Sequence, residues 1–580
     1  MTAYNAPLRD MRFVIEQVIG LDCIEDLPGL EAFSPDLVEP VLEEASHLAS
    51  GVLAPLNWTG DREGARLEGD AVHTPKGFAA AYKAYADAGW NSVPFDPEYG
   101  GQGLPWLLAF AVQEMWQSAN MAFGLCPLLN QGAVEAISAH GSPEQKALYL
   151  EKLIAGTWTG TMNLTEPQAG SDLAAVRTKA VRDGDHFRLT GQKIYITYGE
   201  HDFTPNIIHM VLARIEGAPE GVKGISLFLA PKFLANADGS VGARNDLRCI
   251  SLEHKLGIHA SPTAVMSFGD NGGATAWLVG EENRGLEYMF TMMNNARLSV
   301  GLQGVAIAER AYQQALDYAK GRVQGRTLLG GVSILGHPDV RRMLLHMKVL
   351  TESARALTYY AASQLDIARH ATDEAERSAA QARVDLLTPI VKGWGTDIGN
   401  EVASLGVQVH GGMGFIEETG AAQHLRDARI TPIYEGTNGI QANDLTFRKT
   451  ARDQGVAAKA FVAEMRSVAA RASTKPGVAV EGQALAQALD QLEAAIGWIC
   501  TAPQDRAASG AYSYLRLFGL VATGYMAIRA ALVAGDDDFG AAKRQSAAYH
   551  AVVLLPQAEA LAAAVTGTHE SLLAFPVEQF

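Results

Sequence analysis

Ile207-Ile208-His209-Met210-Val211-Leu212-Ala213-Arg214-Ile215 is a run of aliphatic and β-branched residues, preceded by Pro205-Asn206 and followed by Gly217-Ala218-Pro219. That composition between turn residues reads as a strand. Working outward, Ile225 to Ala230, Ala264 to Phe268 and Ala276 to Val279 repeat the pattern, so the stretch from Trp158 to about Gly280 is an all-β segment, a barrel or a sandwich. On its N-terminal side the pattern is helical. Ser142-Pro143-Glu144-Gln145 supplies an N-cap, a proline at the first helical position and a glutamine at the third, ahead of Leu148, Leu150 and Leu153. On its C-terminal side the helical period returns in Val340, Leu344, Met347 and Leu350, and again in Tyr514, Leu517, Phe518, Val521, Tyr525, Ile528 and Leu532. The expected fold is mainly α with a β insert.

At 580 residues the chain is long enough for several domains and needs no disulfide or metal staples. A net charge of −17 disfavours sequence-independent binding to nucleic acid, which needs a basic footprint. Cys23, Cys126, Cys249 and Cys500 are scattered without a Cys-x-x-Cys pair, a usage expected in the cytoplasm. Arg9 and Arg12 interrupt the start, so no signal peptide is expected. The longest apolar stretch, Gly519 to Gly535, carries Arg529, so no membrane span is expected either. His254, His259 and His346 lack ligand spacing, and no metal is expected.

The chain lacks the signatures of nicotinamide dehydrogenases, P-loop ATPases, zincins and α/β-hydrolases. Four other segments stand out. Met162 to Asp172 surrounds Pro167 and Gly170 with small and hydroxyl residues, where backbone N–H groups can approach a ligand, though a plain turn fits as well. Gly191 to Thr197 places Tyr195 and Thr197 on one strand face, as an aromatic platform beside a hydroxyl or as an ordinary core strand. Gln408 to Phe415 holds three glycines in four positions, which no helix continues through. Finally, Arg426 to Gln441 sets Glu435 in an apolar bend: Pro432 fixes an extended approach, Ile433 and Tyr434 make an apolar wall, Gly436 permits a tight turn and Thr437 can cap the next helix. Burial there should raise the Glu435 pKa, and both a salt-bridged structural glutamate and a general base fit.

In this order and spacing the four segments resemble the acyl-CoA dehydrogenase family: Thr165-Glu166-Pro167-x-Ala169-Gly170-Ser171-Asp172, Gly191-x-Lys193-x-Tyr195-Ile196-Thr197, Gln408-x-His410-Gly411-Gly412-x-Gly414 and Tyr434-Glu435-Gly436-Thr437. The resemblance covers about residues 35 to 450. The opening MTAYNAPLRDMRF, the HPDVRR stretch from His337 and the tail past 450 resemble a subgroup of long bacterial members that includes one acting on a 3-methylthiopropionyl thioester. The resemblance implies an N-terminal extension and helical domain (1–157), a β-barrel domain (158–281), a four-helix bundle carrying the catalytic base (282–450) and an extra C-terminal helical domain (451–580).

It also implies FAD as cofactor and oxidation of an acyl-CoA thioester to the trans-2-enoyl-CoA. Glu435 is then the base, with hydride passing to flavin N5. Carried onto matching positions, Leu164, Thr165, Ser171, Tyr195 and Thr197 contact the flavin or its phosphates. Many members have Trp where this chain has Tyr195. Arg322 and Gln324, with Gln408, Gly411 and Gly412, match a pyrophosphate and adenosine site shared between subunits. The usual Phe-Gly after that first glutamine is here Gly325-Arg326, which removes an aromatic contact. Thr437, Asn438, Gly439 and Gln441 fit further flavin-phosphate contacts. Ser171, Asn294, Arg297, Tyr434 and Gly436 are the expected acyl-CoA contacts, with a structural helix arginine an equal reading of Arg297. Some members place their base immediately before the arginine matching Arg297. That position here is Ala296, which cannot accept a proton. The expected partners are an acyl-CoA, an electron-transferring flavoprotein and a second copy of the chain in a homodimer. The competing readings are a medium- or long-chain fatty acyl-CoA dehydrogenase, an oxidase of the same fold and a non-catalytic helical interaction protein.

Overall fold

The computed structural model describes residues 3–236 and 238–580, leaving the first two residues of the N-terminal extension outside. The chain forms two compact units. One contains residues 46–104 and 119–296, the other 1–45, 105–118 and 297–580.

The first unit is built on an eight-stranded sheet. Ile207–Ile215 is buried along almost its whole length, pairing antiparallel with Ile225–Pro231 and parallel with Thr159–Asn163. The twelve-residue strand His186–Thr197 organises the rest. Its first half pairs with Ala274–Val279 and its second half with Thr263–Phe268, while its other edge takes Lys179–Asp183. Because Lys179–Asp183 also pairs with Ile207–Ile215, five strands close on themselves as a barrel. Closure suits the sequence, since alternate residues from each strand fill a common interior. Leu189, Val211, Phe228, Ala264, Met266 and Phe268 form that core. Helices Met121–His140 and Pro143–Ile154 belong to the same unit, the second opened by a complete Ser142–Gln145 capping box.

The second unit is helical. Helices Pro338–His370 and Glu374–His410 form an antiparallel hairpin, and Gly285–Gly321 crosses the latter at unusually short range. A Cβ on Gly304 would sit 2.0 Å from the Gly395 carbonyl oxygen, and one on Gly399 2.8 Å from that of Gly304. Only glycine admits that approach, and it brings the residues around Arg297 and Lys392 together. The tail adds Val456–Thr474, Ala479–Thr501, Gln504–Val533, Asp538–Tyr549 and Gln557–Ala574.

Helix Gln504–Val533 departs from the sequence expectation about membranes. It is long and apolar enough to cross one, as is the bent pair Asp538–Leu554 and Gln557–Ala574 taken together, but 72% of the apolar window of Gln504–Val533 is buried in the protein. Its apolar length is used in packing: Tyr514, Leu517, Phe518, Val521, Tyr525 and Ile528 are all buried.

A buried charge centre ties this unit together. The Arg355 guanidinium donates to Glu114 at 2.6 Å, to Asp10 at 2.6 Å and to Glu309 at 2.7 Å, and Tyr359 donates its hydroxyl to Glu114. Asp10 also pairs with Lys543 of the tail. One arginine therefore holds the N-terminal segment, two core helices and, through Asp10, the last domain. Removing one partner of such a cluster leaves charges buried and uncompensated, so Arg355→Met should destabilise the protein by about 3–5 kcal/mol. Urea denaturation followed by circular dichroism measures this.

Candidate active site

After helix Ala421–Ala428 the chain turns through Thr431 and Pro432, and the N–H of Asn438 donates back to the Pro432 carbonyl at 3.0 Å. Inside this closed loop two successive residues are left-handed, Glu435 at φ 56° and Gly436 at φ 83°. Glycine tolerates that conformation. A glutamate there carries about 1–3 kcal/mol of strain and persists only where its surroundings impose it. They do: Gln441 donates its amide to the Glu435 and Gly436 carbonyls, both at 3.2 Å, and the buried Arg297 donates Nε–H to the Glu435 carbonyl at 3.4 Å. A Cβ on Gly436 would lie 2.8 Å from that same Gln441 amide. Thr437 caps the following helix, its hydroxyl accepting from the Ile440 N–H.

Desolvation raises the Glu435 carboxyl above its ordinary value, with Arg297 and Lys392 acting in the opposite direction. Lys392 lies below the turn, fully buried, and donates Nζ–H to Asn438 Oδ1 at 2.9 Å. Burial lowers its pKa to about 7, against the pull of Glu435 and Asp397. Of the expected apolar wall, Tyr434 is partly covered and donates its hydroxyl to Gln303, whereas Ile433 remains half exposed.

Asn438 requires a correction. It was expected to touch a cofactor phosphate, but it is buried and its side chain faces helix Glu374–His410. Its amide donates to the Gly393 carbonyl, the Thr396 hydroxyl and Asp397, while its oxygen accepts from Lys392. Every polar atom of the side chain is engaged inside the protein, so Asn438 anchors the turn.

The ends of two helices bring together a second group. Tyr318, one turn before Arg322, stacks on His410, two residues after Gln408, with ring centroids 4.4 Å apart. Arg322, Gln324, Gln408, Gly411, Gly412 and Gly439 are all exposed. Gly325, which stands in place of the family's usual aromatic, is left-handed at φ 68°.

The barrel unit carries the remaining residues. Lys193 and Glu166 form a buried ion pair at 2.8 Å, and Lys193 also donates to the Leu164 carbonyl. Burial opposes the charge on Glu166, but Lys193 and the Thr178 hydroxyl hold its pKa below the usual range. The pair pins the loop carrying Leu164, Thr165 and Ser171 to the strand carrying Tyr195 and Thr197. Leu164 is buried, Thr165 half-buried and Ser171 exposed. Tyr195 sits in a bulge: Lys193 pairs with Met266 and Ile196 with Ala264, which leaves residues 194 and 195 opposite Val265 alone. At φ 60° the residue is 60% exposed, presenting an aromatic side chain two residues from the half-buried Thr197. Asn294 is exposed on helix Gly285–Gly321.

Sequence reasoning missed Lys392, Asp397 and the Glu166–Lys193 pair. The available signal was a charged residue inside an otherwise apolar run, such as Pro389-Ile390-Val391-Lys392-Gly393-Trp394. Among the described residues no group of three His, Cys, Asp or Glu side chains is placed to hold a metal ion.

Four family models match in sequence: the acyl-CoA dehydrogenase N-terminal domain over residues 61–157, the middle domain over 161–271, the C-terminal domain over 283–450 and an acetyl-CoA dehydrogenase C-terminal-like domain over 461–576. A 3-methylmercaptopropionyl-CoA dehydrogenase of Ruegeria pomeroyi is 50% identical, covering 98% of this chain and 99% of its own. A broad-specificity linear acyl-CoA dehydrogenase, FadE5, of Mycobacterium tuberculosis is 35% identical over 92% and 91%. The crystal structure of an acyl-CoA dehydrogenase from Bacillus anthracis complexed with FAD shares the fold at a TM-score of 0.77 and 20% identity, covering 99% of this chain and 94% of that one. The chain belongs to the acyl-CoA dehydrogenase family.

Proposed function

We propose that this protein removes the elements of hydrogen from the Cα–Cβ bond of an acyl-CoA thioester, giving the trans-2-enoyl-CoA, with Glu435 as general base. The observation that carries the proposal is a carboxyl with a raised pKa, held at a left-handed backbone position that its neighbours impose. Strain of this kind is retained where function needs it.

The residues fit FAD. An exposed tyrosine ring beside a threonine hydroxyl suits a flat heteroaromatic ring, and the exposed glycines and Arg322 at two adjoining helix ends suit a pyrophosphate. Leu164, Thr165, Ser171, Tyr195, Thr197, Thr437 and Gly439 would hold it, and Arg322, Gln324, Gln408, Gly411 and Gly412 would reach the FAD of a neighbouring subunit. Bound there, FAD supplies a hydride acceptor.

The chain's own residues do the rest. A proton next to a thioester carbonyl is acidic enough to remove only if the developing enolate is stabilised. Glu435 in its ionised form takes that proton onto a carboxylate oxygen. Desolvation of the partly buried carboxyl makes it a stronger base than a fully exposed glutamate, and matching its pKa to that of the substrate lowers the barrier. The Glu435 backbone N–H is the proposed donor to the thioester oxygen. Arg297 and Gln441 keep the turn in shape, while Tyr434 excludes water from one side. Ala296, buried and without a proton acceptor, takes no part.

The proposed substrate is a short thioester with sulfur at the third position, 3-methylmercaptopropionyl-CoA, on the strength of the 50% identical relative. Ser171, Asn294, Arg297, Tyr434 and Gly436 are the proposed acyl-CoA contacts. An electron-transferring flavoprotein is the proposed acceptor, a homodimer the proposed assembly and the cytoplasm the proposed location. Four unpaired cysteines are compatible with that location. We likewise divide the chain into functional parts at 158, 282 and 451.

Glu435→Gln should keep its yellow flavin absorbance while turnover of acyl-CoA with a dye acceptor falls about 10²–10⁴-fold. A variant turning over at the wild-type rate contradicts the assignment. Because the base must be ionised, kcat/KM should fall as the solution is acidified through the raised Glu435 pKa, on the alkaline side of the ordinary value of 4.5. A pH profile flat down to that value would count against it. Among a panel of acyl-CoAs, the 3-methylthiopropionyl thioester should give the highest kcat/KM.

A further inference from the structure

Helix Gln504–Val533 packs against helix Asn438–Asn443, which follows the turn that carries Glu435, and against helix Glu374–His410. A Cβ on Gly393 would lie 2.7 Å from Leu515, and one on Gly519 2.4 Å from the Trp394 ring, so this crossing, like that of Gly304 and Gly395, leaves no slack. At the crossing Tyr512 donates its hydroxyl to Asp397 Oδ2 at 2.6 Å. Asp397 Oδ1 accepts from Asn438 Nδ2 at 2.8 Å. Asn438, three residues past Glu435, accepts from Lys392. Further along, the Tyr514 hydroxyl meets that of Thr450 at 3.0 Å. The segment that follows the base, 438–450, is thus linked near both ends to one helix of the tail, directly at Thr450 and through Asp397 at Asn438.

We propose that Tyr512 and Asp397 are positioning residues for the dehydrogenation, and that the C-terminal domain sets the placement of the Glu435 turn through the chain Tyr512–Asp397–Asn438. The tail is then part of the active-site scaffold. The inference rests on Glu435 being the base, and it extends that reading to a domain the four sequence motifs do not touch.

The electrostatics give the chain a distinct signature. Asp397 faces Lys392 on its own helix, Tyr512 and Arg516 on the tail helix and Asn438 on the turn. Tyr512 also faces Arg429, and Glu435 faces Arg297 and Lys392. Burial raises the Asp397 pKa, while the bonds from Tyr512 and Asn438 favour its ionised form. Without the tyrosine hydroxyl Asp397 protonates more readily, and Lys392 loses an anionic neighbour. The Lys392 ammonium then becomes less favoured, so Glu435 loses part of the positive field that favours its carboxylate. The Glu435 pKa should therefore rise.

The test uses full-length, flavin-loaded Tyr512→Phe, with Asp397→Asn as second variant and Glu435→Gln as reference. Tyr512 is 45% exposed and loses only a hydroxyl, so the fold is retained. In Tyr512→Phe kcat should fall on the order of tenfold, as for a small misplacement of a reacting group, with KM little changed. The acid limb of kcat/KM should move to higher pH, and flavin content and melting temperature should stay near wild type. Asp397→Asn should lower kcat at least as much. A wild-type kcat and acid limb in Tyr512→Phe would overturn it. So would a loss of activity that parallels loss of flavin or of melting temperature while the limb stays in place. If Glu435→Gln is inactive and Tyr512→Phe normal, only the role of the tail falls. If Glu435→Gln is active, the base assignment falls with it.

Discussion

A glutamate forced into left-handed backbone conformation is the constraint on which the rest of the site depends. Left to itself residue 435 would relax to φ near −60° and swing its carboxylate elsewhere. Arg297 and Gln441 prevent this by holding the carbonyls of residues 435 and 436, and the glycine at 436 leaves room for the Gln441 amide. Each of these holders needs its own support. Arg297 is brought close by a helix crossing whose glycines admit no Cβ, and the turn is anchored from below by Asn438 on the buried Lys392. The strain at one residue is thus offset by hydrogen bonds and by packing drawn from most of the helical unit.

The barrel unit follows a comparable logic on a smaller scale. The Glu166–Lys193 pair is costly to desolvate and would contribute little to stability by itself. Its effect is geometric, because it fixes the loop from Leu164 to Ser171 against the strand that displays Tyr195. A bulge then turns that tyrosine outward at φ 60°. Both units therefore present their functional side chains from backbone that is locally irregular and laterally braced.

Much of the architecture was legible because local signals agreed. The run Ile207 to Ile215 has the same ends in the sequence and in the structure, Ser142 and Gln145 form the expected capping box, and Thr437 caps its helix. The raised pKa of Glu435 follows from an acid in an apolar bend. What stayed hidden depends on partners distant along the chain. Nothing near Lys392 announces that Asn438 will meet it, and the resemblance places Asn438 among the flavin-phosphate contacts. The Arg355 cluster joins Asp10, Glu114, Glu309 and the tail. The barrel closes through Lys179–Asp183, a short and mostly exposed strand that no run of apolar residues marks. The aromatic periodicity of residues 504–533 showed which face is buried, without showing that Tyr512 reaches Asp397.

Proton abstraction by Glu435 can be observed apart from the redox step. Wild-type enzyme and the Glu435→Gln variant are incubated anaerobically with acyl-CoA in deuterium oxide, without an electron acceptor, and deuterium at the carbon next to the thioester carbonyl is measured by mass spectrometry. The account predicts exchange in the wild type, declining on acidification through the raised pKa of the carboxyl, and almost none in the variant. Exchange at equal rates in both proteins would show that another group removes the proton, and would contradict the account.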